Sequence, residues 1–244
     1  MPNRSRPRCH PLIPARPMRT EEFVRHIDHT LLTPEATPAG IDRLCDEALE
    51  HNFHSVFVNP VFVERAVKRL SRSNTVVGSV AGFPLGASHP TTVADEARRT
   101  VEAGGREVDM VVWIGGLIAG ETDRIVGTIH AAACAVHSAG KNHLLKVILE
   151  TAALTEEQVI LGCRCSAEGE ADYVKTSTGM HRSGGATVEH VRLLHRHASP
   201  LRVKASGGIR DLTTALAMID AGADRLGTSS AVAIVHQLTG QEIQ

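Results

Sequence analysis

From Ile27 onward, short β-branched apolar runs alternate with longer stretches whose apolar residues recur at helical spacing. The runs at 27–31, 55–58, 75–81, 107–112, 144–149, 171–175, 202–205 and 224–226 predict strands. Between them, 41–51 sets Leu44, Ala48 and His51 on one helical face with Cys45 and Leu49 beside them. The stretches 91–103, 122–139, 155–168, 187–197 and 212–221 follow the same period. Three of these have a side chain suited to capping the first turn: Thr155 and Thr187, each followed three residues on by Gln158 or His190, and Asp211. Ala-Gly pairs at 103–104, 139–140 and 221–222 mark helix ends.

About eight β/α units with short connections call for an all-parallel sheet buried on both faces. Units of this size favour an α/β fold of the (β/α)₈ TIM-barrel type, a single domain. A doubly wound open sheet would more often place a glycine fingerprint after the first strand. Here that turn reads Thr33-Pro34-Glu35.

Composition narrows this further. The chain has 244 residues, 42% of them hydrophobic but only 3% aromatic, so the core falls to Val, Ile, Leu and Ala. A net charge of −1 argues against nucleic acid as a partner, which would need a basic face, and makes any phosphate binding local. The five cysteines are odd in number and scattered through helical segments, as expected of reduced thiols in a cytoplasmic protein rather than a disulfide framework. Cys163 and Cys165 point apart at helical spacing. No run of about 18 apolar residues exists, so no membrane span is expected. Residues 1–19 carry five arginines, five of the eleven prolines and no acid, which reads as a disordered basic tail, with the barrel occupying 20–244.

In a barrel, function gathers where strands end and the following loops begin. The strand-embedded charges are Asp28, Asp109, Lys146, Lys175 and Lys204. A lone charge in a strand is commonly a satisfied structural ion pair. Asp109, Lys175 and Lys204, however, fall on the fourth, sixth and seventh predicted strands, on one side of the ring. A lysine that ends a buried strand is costly to desolvate, which lowers its amine pKa. A neutral amine is the nucleophile that forms Schiff bases with carbonyl substrates, and a second cation nearby assists it. Asp109 could then move protons for a substrate held on one lysine.

Two glycine loops complete the pattern. Gly207-Gly208-Ile209-Arg210 follows the seventh strand; Gly227-Thr228-Ser229-Ser230 follows the eighth and opens a helix. Phosphate sites in this fold are often built from these two loops, where free N–H groups and a helix N-terminus favour an anion. The fourteen histidines include His26-x-x-His29, His51-x-x-His54 and His195-x-His197, none at a spacing suited to a metal, and no metal or other cofactor is expected.

At these residues the sequence resembles the deoxyribose-phosphate aldolases, Schiff-base-forming class I aldolases, over about residues 23 to 235. The resemblance rests on an ordered series: Ile27-Asp28-His29-Thr30-Leu31-Leu32, Val58-Asn59-Pro60, Gly82-Phe83-Pro84-Leu85-Gly86, Glu107-Val108-Asp109-Met110-Val111, Lys146-Val147-Ile148-Leu149-Glu150-Thr151, Val174-Lys175-Thr176-Ser177-Thr178-Gly179, and the two loops above. It implies that Lys175 forms the Schiff base, Lys204 is the neighbouring cation and Asp109 the proton relay. Gly179, Gly207, Gly208, Ser229 and Ser230 would lie near the substrate phosphate, and Asp28 and Thr178 would line the pocket. The implied reaction is reversible cleavage of 2-deoxy-D-ribose 5-phosphate to D-glyceraldehyde 3-phosphate and acetaldehyde, in deoxyribose phosphate catabolism.

Departures from the family pattern stand at Phe57, often Cys, at Trp113, often Asn, near Ala94, commonly Lys, and in the loop 180–183, which usually begins with an aromatic. Trp113 and that loop are the features that could narrow the pocket or shift the substrate. Two other readings remain: a related barrel enzyme acting on another sugar phosphate, and a catalytically silent barrel that docks a partner through its tail. Exposed barrel helices commonly pair, so a homo-oligomer is expected.

Overall fold

The computed structural model describes residues 18–240. Most of the stretch read as a tail, and the last four residues, lie outside the described residues. Met18 packs against the core and Arg19 precedes the first helical turn. Eight parallel strands close into a barrel in chain order. They are β1 (Ile27–Leu31), β2 (Ser55–Val58), β3 (Val76–Ala81), β4 (Glu107–Val111), β5 (Leu144–Ile148), β6 (Tyr173–Lys175), β7 (Arg202–Ser206) and β8 (Arg225–Thr228). The single-domain (β/α)₈ architecture is therefore the one the pattern predicts.

Around it run α1 (Thr20–Phe23), α2 (Pro38–Glu50), α3 (Val63–Arg69), α4 (Pro90–Glu102), α5 (Ile114–Ala119), α6 (Thr122–His137), α7 (Glu156–Glu168), α8 (Val188–His197), α9 (Leu212–Asp220) and α10 (Ala231–Thr239). The predicted caps form: Thr155 and Gln158 make a reciprocal capping box, Thr187 accepts from the His190 N–H, and Asp211 accepts from the Thr214 N–H. Three short helices escape the periodicity. α1 is a single turn, α5 begins with a Gly115-Gly116 pair that reads as loop, and α3 is two turns held to α2 by bidentate Arg65–Asp42 and Arg69–Asp46 pairs.

Strand parity divides the barrel's residues between two environments. Val56, Val108, Met110, Val147, Val174 and Val203 face outward and join the apolar cluster beneath the helices. Burying each such side chain contributes roughly 1.5–3 kcal/mol. Residues of the other parity point inward, and many of them are polar: Asp28, Ser55, Glu107, Asp109, Lys146, Lys175, Lys204 and Arg225 are all buried. The outer shell thus carries the hydrophobic stabilisation and leaves the barrel interior to charge. Cys163 and Cys165 are both buried in α7, and burial pushes the Cys163 thiol up to about 12.

Candidate active site

Barrel register sets the geometry. Lys175 lies beside Lys204 across β6 and β7, and Asp109 beside Lys146 across β4 and β5. Their side chains meet on one carboxylate. Asp109 Oδ2 accepts from Lys175 Nζ at 2.8 Å and from Lys204 Nζ at 2.7 Å, while Oδ1 accepts from Lys146 Nζ at 3.1 Å. Beneath this group, Lys204 Nζ also lies 2.5 Å from Asp28 Oδ2. Asp28 Oδ1 accepts from Ser55 Oγ at 2.7 Å and from Arg225 Nε at 2.7 Å. Glu107 closes the network, pairing with Lys146 at 2.5 Å and with Arg225 at 3.2 Å. Gly227 is what lets Lys204 through: a Cβ there would stand 3.1 Å from Lys204 Cε.

Four cations, Lys146, Lys175, Lys204 and Arg225, thus face three carboxylates, Asp28, Glu107 and Asp109. The network carries one positive charge in excess until a lysine gives up a proton. Burial raises the Asp109 carboxyl, but Lys146, Lys175 and Lys204 outweigh it and hold Asp109 well below the usual carboxylate range. Burial likewise opposes the charge of Asp28, which Arg225 and Lys204 nevertheless keep ionised, and that of Glu107, which Lys146 and Arg225 keep ionised. Lys146 loses charge stability to burial and regains more from Asp109 and Glu107, so it is held above the ordinary lysine range. Lys204 is different. Burial pulls it down to about 8, with Lys175 and Lys146 adding to the effect, despite Asp109 and Asp28. Lys204 is therefore the cation of this network that gives up its proton most readily, and it shares Asp109 Oδ2 with Lys175.

Above Lys175 opens a cavity of about 210 Å³ at the C-terminal end of the barrel. Its walls include Thr30 to Thr33, Thr178 to Met180, Ser206 to Arg210 and Gly227 to Ser229. Lys175 lines it and Lys204 does not, so the amine that faces the cavity is that of Lys175. Gly179, Gly207 and Gly208 have φ of +81°, +87° and +83°, left-handed conformations that glycine adopts without a Cβ penalty. They make a wall of backbone beside the exposed Arg210, chemistry suited to a phosphate.

Of the ten residues singled out in the sequence, Lys175, Thr178, Gly179, Gly207, Gly208 and Ser229 line this cavity, with Lys204 and Asp109 directly beneath its floor. Asp28 and Ser230 sit differently. Asp28 is fully buried one layer below, held by Arg225, Ser55 and Lys204, and the cavity wall on β1 is Thr30 and Leu31 instead. Ser230 is the residue before α10, and its N–H is spent inside the loop on Thr228 Oγ1. Trp113 turns away from the cavity. Its ring lies under the Arg124 guanidinium at 4.8 Å, in a separate pocket bordered by α4 and α6. Of the loop 180–183, Met180 reaches the cavity wall.

Sequence reasoning missed several contributors. Glu107 and Arg225 belong to the charge network, and Glu107 sits two residues from Asp109, the parity that brings both inside. Glu150 is fully buried with φ +58°, and its carboxylate accepts from both the N–H and the hydroxyl of Thr178. Non-glycine residues rarely hold a positive φ, and no sequence pattern announces this one. Gly185 presses on this glycine wall, where a Cβ would come within 2.1 Å of the Gly207 carbonyl oxygen. Gly185→Ala must displace Gly207. The expected result is binding of inorganic phosphate weakened about tenfold by titration calorimetry, with circular dichroism unchanged.

Comparison with known proteins follows the same lines. The profile of the DeoC/LacD family aldolases matches residues 24–237. The deoxyribose-phosphate aldolase of Brevibacillus brevis is 51% identical over 212 residues, covering 86% of this chain and 94% of the relative. That of Carboxydothermus hydrogenoformans is 49% identical, covering 91% and 97%. Among solved structures, the tetrameric deoxyribose phosphate aldolase from Aeropyrum pernix superposes with a TM-score of 0.84 at 32% identity, covering 91% of this chain and 92% of that one.

Proposed function

The chain belongs to the DeoC/LacD family of aldolases, and we propose that it cleaves 2-deoxy-D-ribose 5-phosphate to D-glyceraldehyde 3-phosphate and acetaldehyde through a Schiff base on Lys175. The observation that carries this reading is the single carboxylate oxygen shared by two lysines under a glycine-walled cavity.

The steps follow from that arrangement. With the excess proton gone from the lysine pair, Lys175 Nζ attacks C1 of the open-chain sugar, whose phosphate lies against Gly179, Gly207, Gly208 and Ser229. The Lys204 ammonium, through Asp109, gives the carbinolamine hydroxyl the proton with which it leaves as water, and the iminium forms. The C2–C3 bond then breaks, its electrons flowing into the iminium to give an enamine on Lys175. The C3 hydroxyl proton passes through water to Asp109, whose Oδ2 is released as Lys175 exchanges its ammonium hydrogens for the bond to carbon. Asp109 is too weak a base to hold that proton for long, and Lys204, left neutral by the dehydration step and placed 2.7 Å from the same oxygen, takes it on. D-Glyceraldehyde 3-phosphate departs. The enamine is protonated at C2, and hydrolysis frees acetaldehyde and the amine.

This chemistry uses an amine as electron sink and asks for no cofactor. The partner is a small sugar phosphate rather than nucleic acid or membrane, and among the described residues no helix is long and apolar enough to cross a bilayer. The free thiols of Cys45, Cys134, Cys163 and Cys165 accord with a reducing cytoplasm, and the Aeropyrum relative's tetramer supports a homo-oligomer. The test is acetaldehyde release with EDTA present, across a panel of phosphorylated aldoses and ketoses. Release from 2-deoxyribose 5-phosphate at an undiminished rate is expected. Preference for another sugar phosphate would overturn the substrate assignment.

A further inference from the structure

Among the described residues, Phe57 is the aromatic side chain whose ring packs on the amine of Lys204. It is fully buried and lies on β2 at the inward parity, two residues after Ser55, and stands apart from the outer apolar cluster. Its ring centroid is 3.6 Å from Lys204 Nζ and 4.5 Å from Lys146 Nζ, so one ring serves two ammonium groups. Across the β2–β3 register Phe57 pairs with Gly78. A Cβ at Gly78 would meet three ring atoms at 2.4, 2.6 and 2.8 Å, so the ring fills the space that the absent side chain leaves. With a wall of bare backbone on that side, the ring is wedged in place.

That position matters because of the charge count. Every carboxylate in the network already serves more than one cation, and a further acid would remove the positive excess on which a free amine depends. The face of an aromatic ring offers partial negative charge without adding a carboxylate or a proton acceptor. Lys204 is faced by Asp28 from β1, Asp109 from β4, Lys146 from β5, Lys175 from β6 and Arg225 from β8, with Glu107 behind Lys146. Phe57 supplies the contact from β2.

We propose that Phe57 is a positioning residue for the lysine chemistry: its ring, wedged against Gly78, holds the Lys204 ammonium on Asp109 and leaves the carboxylates as the only route for its proton. The functional part of this inference rests on the aldolase reading above. Its physical part does not, since the contact exists whatever the substrate.

The test replaces Phe57 with mono-, tri- and pentafluorophenylalanine by site-specific incorporation. These keep the ring's shape while weakening and then reversing its quadrupole, which a Phe57→Leu variant, at risk of misfolding beside a glycine, cannot do. The Lys204 amine is titrated by NMR of carbon-labelled lysine, with Lys204→Arg to assign the signal. The expected result is a stepwise fall in its titration midpoint with fluorination, reaching about half a unit to one unit for the pentafluoro ring. The acidic limb of kcat/KM should move down in parallel. A midpoint unchanged across the series would overturn the proposal and leave Phe57 as packing alone. Because the titration needs no turnover, it is decided separately from acetaldehyde release by the unmodified protein, whose failure would sink the aldolase reading instead.

Discussion

Lys175→Leu is expected to lose turnover of 2-deoxyribose 5-phosphate at every pH, by at least about 10⁴-fold, while its thermal unfolding stays cooperative. Lys175 is the amine at the floor of the cavity, and no other lysine lines it. Raising the pH cannot rescue the variant, because the missing group is the nucleophile itself rather than its protonation state. The fold should survive, since Asp109 keeps Lys146 and Lys204 as partners and is not left as an unpaired buried charge. Rates measured from pH 6 to pH 10 with circular dichroism on the same samples check both halves. Substantial activity in this variant would move the Schiff base to another residue.

Lys204→Leu behaves differently. Removing that ammonium leaves three cations facing three carboxylates, so the network no longer carries a proton in excess. Activity near pH 7 should fall about 10²- to 10³-fold and recover in part on the alkaline side, since each unit of displacement costs about tenfold in free amine. In the parent protein burial draws Lys204 down to about 8, so kcat/KM should rise with pH towards that point, and the variant's rise should lie higher. Lys204→Arg keeps the charge excess but holds its own proton, and should retain more activity than Leu while losing the fit to Asp109. Identical, flat pH responses from Lys175→Leu and Lys204→Leu would show that Lys204 contributes chemistry of its own or only supports the fold.

How much of this was legible in the chain depends on the length scale of each signal. The barrel was readable because alternating β-branched runs and helical stretches repeat, and the caps at Thr155, Thr187 and Asp211 obey local rules. Lys175, Lys204 and Asp109 stood out because charge in a buried strand is rare. What escaped was set by neighbours distant in sequence. Asp28 is at the correct strand position for a pocket residue, yet Arg225, almost two hundred residues later, claims its carboxylate from below. Trp113 lies two residues beyond the end of β4, but Gly115 and Gly116 open a space into which its ring folds, away from the cavity. Phe57 reads as an ordinary core aromatic until the barrel closes and brings β5 and β7 to its face. Short α3 and α5 lack the length for a period to register.

The central claim is that one particular amine becomes covalently bound to the substrate. Reduction with borohydride during turnover, followed by digestion and peptide mass mapping, tests it most directly. Reduction of the acetaldehyde imine should leave a single ethyl group on Lys175, absent without substrate and absent from Lys175→Leu. An ethyl group on Lys204 or Lys146, or a protein that turns over its substrate yet leaves no adduct, would contradict the account.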